Sequence, residues 1–109
     1  MANEMSQMGY SVRRDSVGNI IGTIGQGRPR VLLCGYMDTV AVMIPVKVEK
    51  GVLHGRGSVD AKAPLASMIV SASSAAQDFK GTLIVAGVID EEGQNRGIRN
   101  LIKDDPDYD

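Results

Sequence analysis

One cysteine, one histidine, no tryptophan, three tyrosines and one phenylalanine are found among 109 residues. A single Cys34 excludes an internal disulfide and any thiolate metal cluster, and it suits a reducing compartment, where a free thiol serves as a small buried apolar residue. So few aromatic rings exclude a base-stacking platform or an aromatic cage. No charge of one sign dominates either: twelve Lys and Arg face thirteen Asp and Glu, for a formal net charge of −1. That balance provides no long-range field for nucleic acid or anionic lipid. Long apolar runs are missing as well. The longest, Leu83 to Ile89, falls far short of the ~18 residues that span a bilayer. The expectation is a cytoplasmic protein with neither a nucleic-acid nor a membrane partner.

What is present is enough apolar residue, 43% of the chain, for one core over residues 1–109. Met1, Met5 and Met8 lie on one face of a short helix that Gly9 ends. Tyr10 to Asp15 and Asn19 to Ile24 alternate in character about Ser16-Val17-Gly18, which predicts a β-hairpin. Arg30 to Gly35 is a continuous apolar run typical of a central strand buried on both faces. After an irregular stretch from Thr39 to Pro45, Val46 to Glu49 and Val52 to His54 form a second hairpin around Lys50-Gly51. Ala61 to Gln77, rich in Ala, Ser, Leu and Met, fits a buried helix with Pro64 confined to its first turn. Thr82 to Ile89 returns as a strand, Arg96 to Lys103 as a short helix, and the acidic end from Asp104 to Asp109 reads either as a solvated tail or as a connection whose continuation is absent. Strand, long helix, strand is a crossover unit. The fold class is therefore α/β, with a mixed, mostly parallel sheet and flanking helices.

In such sheets ligand sites gather beyond the carboxyl ends of the strands. Acidic residues fall at three of these places: Asp38, Asp60 and the run Asp90-Glu91-Glu92. Each alone also fits a plain role, Asp60 as a helix N-cap, Asp38 as a turn former and the glutamates as a solvated surface. Together they suggest a cleft of carboxylates whose mutual repulsion a cation relieves. The segments Gly25-Gln26-Gly27 and Gly55-Arg56-Gly57 do not make a dinucleotide site, because the first precedes Arg-Pro-Arg and the second runs into the acidic Asp60.

Three ordered segments carry a family resemblance: Gly35-Tyr36-Met37-Asp38-Thr39-Val40, the stretch GVLHGRGSVDAK from Gly51 to Lys62, and Ile89-Asp90-Glu91-Glu92-Gly93. The chain resembles the dinuclear zinc hydrolases of the aminoacylase, acetylornithine deacetylase and glutamate carboxypeptidase group. The likeness is greatest to the acetyl-lysine and acetylornithine deacetylases of lysine and arginine biosynthesis, some of which release the amino acid from a carrier protein. The resemblance implies Zn2+ or Co2+ as cofactor and an acylated or carrier-linked amino acid as substrate. It gives Asp38 the role of orienting a metal-bound imidazole, Asp60 that of bridging two metals beside a cis Asp60-Ala61 bond, Glu91 that of general base and Glu92 that of metal ligand.

The sequence departs from the family pattern at Tyr36, which occupies the place of the histidine ligand. A phenolate there is costly at neutral pH, and His54, on a hairpin strand, reads as a surface histidine rather than a replacement ligand. Two downstream ligands and the inserted lid and dimerisation domain have no counterpart in this chain. It therefore resembles a truncated catalytic domain, expected to be inactive in isolation and to self-associate as a homo-oligomer through uncovered sheet edges. The alternatives are a non-catalytic remnant acting as an interaction module and a weak divalent-cation binder on Asp38, Asp60, Glu91 and Glu92.

Overall fold

The computed structural model describes residues 1–105 and 107–109. In chain order the elements are α1 (Ala2–Gln7), β1 (Ser11–Arg14), β2 (Ile20–Gly25), β3 (Arg30–Tyr36), β4 (Lys47–Glu49), β5 (Val52–His54), α2 (Lys62–Ala75), β6 (Thr82–Val88) and α3 (Arg96–Asp104). Four strands form one mixed sheet in the order β1-β2-β6-β3, and β4 and β5 form a separate two-stranded sheet. The strand-helix-strand unit closes as expected, with β3 parallel to β6 in the register Arg30↔Thr82 through Tyr36↔Val88. Among the described residues parallel pairing is confined to that pair. β1 and β2 are joined by a tight turn and must run antiparallel, and β2 also meets β6 antiparallel.

The alternation of β6 sorts the core into two layers. Leu83 and Val85 face Met5, Tyr10, Leu65, Ile69 and Ala72. On the opposite side Ile84, Ala86 and Val88 face Ile21 and Leu101 of α3. Every residue of β6 is buried, because strands flank it on both edges and helices cover both faces.

The structure corrects four details of the sequence reading. β3 is an edge strand, half-buried throughout, and β6 is the central one. A continuous apolar run reports two covered faces and does not say whether both edges are paired. Cys34, lying on β3, is accordingly half-buried, and burial raises its thiol pKa. Helix α2 is not buried all round: Leu65, Ile69 and Ala72 form a narrow inward stripe while Val70 stays exposed. Its small residues permit close packing without requiring it.

The acidic end is no solvated tail. Arg28 pairs with Asp107 and, at 2.6 Å, with Asp109, and Arg30 pairs with Asp105 at 3.2 Å. The Asp109 N–H donates to the Arg30 carbonyl at 3.0 Å, and Tyr108 packs against the core layer that contains Leu101. Opposite charge and one aromatic ring offset the ordering of this segment. Of the acidic end, Pro106 lies outside the described residues. No helix among those described is long and apolar enough to cross a membrane.

Candidate active site

Parallel register brings the ends of β3 and β6 side by side, and the Met37 N–H donates to the Val88 carbonyl at 2.9 Å, carrying the ladder one residue past β3. Asp38 follows immediately. Its two carboxylate oxygens accept the backbone N–H groups of Glu91 and Glu92, each at 3.2 Å. Asp38 therefore holds the acidic loop through its backbone and leaves both glutamate side chains exposed.

The preceding residue, Asp90, turns the chain with a left-handed backbone (φ 63°). Its carboxylate accepts from Arg96 Nε at 2.8 Å and from the Gln94 N–H at 3.3 Å. The Arg96 hydrogen bond is the chief cause holding the Asp90 carboxyl below the usual range. Asp90 thus anchors the start of α3 and stands apart from the chemistry assigned to its two neighbours.

Asp60 approaches from the loop before α2. It makes no N-cap bond to that helix. The Tyr36 hydroxyl, at the end of β3, donates to Asp60 Oδ1 at 2.5 Å. That hydrogen bond, then burial, then the negative charges of Asp60, Glu91 and Glu92 push the Tyr36 pKa up to about 12. A protonated tyrosine is the form this setting favours. The Asp60-Ala61 peptide is cis, as the resemblance implies.

Three side chains that the sequence reading passed over complete the frame. Lys62 Nζ donates to the Met37 carbonyl at 2.8 Å, tying the start of α2 to the end of β3. Arg56 Nε donates to the Val42 carbonyl at 2.7 Å and fastens the irregular stretch after β3. A third is Asn19, fully buried, whose Oδ1 accepts the Ile89 N–H at 3.0 Å and whose Nδ2 donates to the Gly97 carbonyl at 2.8 Å and to Asp15 Oδ2 at 2.7 Å. It fixes the residue before Asp90 against α3. An Asn after a turn glycine has an ordinary local explanation, so no signal in the sequence distinguishes it. His54 is exposed on β5 and lines a cleft of about 570 Å³ between the β4–β5 hairpin and α2.

The residues present do not fit a dinuclear metal centre. Among the described residues no three His, Cys, Asp or Glu side chains are grouped to hold a metal ion. Both oxygens of Asp38 are engaged by backbone donors and one oxygen of Asp60 by the tyrosine proton. Asp38 is brought to the Glu91–Glu92 backbone and Tyr36 to Asp60, and the charges of Asp60, Glu91 and Glu92 all act on Tyr36.

Comparison with known proteins agrees with this architecture. A protein of Thermococcus kodakarensis with the provisional name LysW-lysine/LysW-ornithine hydrolase is 44% identical over 109 residues, covering 99% of this chain and 30% of the relative. The LysW-lysine hydrolase of Deinococcus radiodurans is 38% identical, with 95% of this chain and 30% of that protein covered. The chain thus spans about 30% of the length of these curated relatives. The crystal structure of human carnosine dipeptidase 1 superimposes with a TM-score of 0.72 at 17% identity, over 97% of this chain and 28% of that one. At that identity the likeness speaks for the fold. Residues 32–109, which contain the ends of β3 and β6 and the whole of α2, match peptidase family M20/M25/M40, and the chain belongs to that family.

Proposed function

We propose that this chain is part of the catalytic domain of an amidohydrolase that releases an amino acid such as lysine or ornithine from an N-acyl or carrier-linked form, and that by itself it is inert. The observation that carries the reading is the Asp38 carboxylate clasping the Glu91 and Glu92 backbone at the joined ends of two parallel strands. That clasp presents two adjacent glutamates at the strand ends, where α/β sheets bind ligands. Glu91 is the residue assigned to take a proton, and Asp60 and Glu92 hold the inherited ligand positions for the family's Zn2+ or Co2+. Tyr36 donates where a metal-binding nitrogen is needed, so the ligand set stays short of the three or more protein ligands that a catalytic zinc requires.

A second reading, a self-associating interaction module, is favoured by a different observation. Val42, Met43, Val46 and Val48 all stand largely exposed along the segment after β3, and contiguous apolar surface marks association sites. Amide-hydrolysis assays of the purified chain on N-acetyl-lysine and N-acetyl-ornithine with added Zn2+ or Co2+ test the first reading, with metal analysis of the same sample. No turnover and no tightly held metal are expected. Steady turnover that disappears in Glu91→Gln would overturn the inert assignment.

A further inference from the structure

We propose that the Tyr36 hydroxyl takes the place of a cation at Asp60, closing this end of the site to divalent metal, and that removing it opens Asp60 to a single divalent ion. The inference deepens the hydrolase reading of the same site and rests on it.

The geometry is specific. Tyr36 Oη donates to Asp60 Oδ1 at 2.5 Å, so this carboxylate oxygen holds a hydroxyl proton where it could otherwise face a cation. Among the described residues no other group donates a hydrogen bond to Asp60. The tyrosine ring cannot readily swing aside. Its backbone is paired with Val88 in the last rung of the β3–β6 ladder, and its ring packs against the layer formed by Ile21, Ile84, Ala86, Val88 and Leu101.

A hydroxyl proton satisfies one oxygen and adds no net charge. The carboxylates of Glu91 and Glu92 stand close enough for their charge to act on Tyr36. The site therefore keeps an uncompensated negative potential behind a neutral plug, and such a potential attracts a cation once an oxygen is released. A phenyl ring at position 36 releases the oxygen and leaves the packing intact. An imidazole releases it and adds a nitrogen donor of the kind Zn2+ and Co2+ prefer.

The test is titration of the full chain with Co2+ alone, followed by calorimetry and visible absorption, for the parent, Tyr36→Phe and Tyr36→His. The parent is expected to bind without saturation. Tyr36→Phe should bind at least about threefold more tightly than the parent and Tyr36→His at least about tenfold, the latter with cobalt d–d bands. Adding Asp60→Asn to Tyr36→Phe should abolish the gain. Circular dichroism checks folding, and if Tyr36→His does not fold, the phenylalanine pair decides alone. Saturable binding by the parent as tight as that of the variants, no gain in Tyr36→Phe, or a gain that survives Asp60→Asn would each overturn the proposal. Because binding is read without turnover, hydrolysis by the parent chain would refute the inert reading separately.

Discussion

Replacing Asn19 by alanine removes three hydrogen bonds that join the β1–β2 turn, the end of β6 and the start of α3. The lost Oδ1 acceptor leaves the Ile89 N–H without its partner, at about 1–2 kcal/mol for a partly buried donor. The lost Nδ2 donor withdraws bonds from the Gly97 carbonyl and from Asp15, which keeps Asn100 and the Val17, Gly18 and Asn19 backbone donors, so about 1–2 kcal/mol more is appropriate. The total is about 3 kcal/mol, a large share of the ~5–15 kcal/mol that holds a domain of ordinary stability. At about 4 °C per kcal/mol for a chain of this size, Tm should fall by about 12 °C. Urea unfolding followed by circular dichroism, with a thermal scan of the same sample, measures both. The slope of free energy against urea should stay unchanged, since the surface exposed on unfolding is nearly the same. A loss under about 1 kcal/mol would show that water replaces the amide at no cost, and the assignment of Asn19 as the hub holding the acidic loop would fail.

Three other outcomes are expected. Gly97→Ala would place a methyl 2.6 Å from Asn19 Oδ1 and 2.6 Å from the Ile89 nitrogen, and it should destabilise by at least about 2 kcal/mol despite alanine's better helix propensity. Equal or greater stability in urea would contradict the close packing of α3 on β6. Burial alone would raise the Asp15 pKa, but the donors from Asn100, Asn19 and Gly18 outweigh it and hold the carboxyl below its ordinary value. Its contribution is then complete above the unfolded pKa of ~3.9 and disappears as pH falls through the lower folded value. Stability should decline with acid below about pH 4, less steeply in Asp15→Asn, and identical acid limbs in the two proteins would refute the shift. Finally, the exposed apolar segment from Val42 to Val48 and the free edge of β3 should drive self-association. Light scattering on a sizing column should report a dimer at tens of micromolar, and a clean monomer there would show that these surfaces are tolerated in water.

The elements themselves were legible in the amino-acid order. Alternation about Ser16-Val17-Gly18 and about Lys50-Gly51 predicts the two hairpins, and the apolar runs around one long Ala-rich segment predict the parallel pair β3 and β6. These signals are local. Turn chemistry and side-chain period act within a few residues, and a crossover of this length leaves parallel pairing as its natural outcome. The places of Asp38 and of the Asp90-Glu91-Glu92 run, just past β3 and β6, were legible for the same reason, since strand ends mark their own positions. What only tertiary structure decided is which edge stays open and which side chains meet. β3 lies at an edge because the β1–β2 hairpin took the other side of β6, a competition between strands that no single segment records. Tyr36 finds Asp60 across 24 residues, Asn19 finds Gly97 across 78, and Arg28 finds Asp109 across 81. Such pairs leave no periodic trace, because a hydroxyl, an amide or a guanidinium has an ordinary solvated reading at each of these positions. Only when the fold closes does each come within reach of its partners.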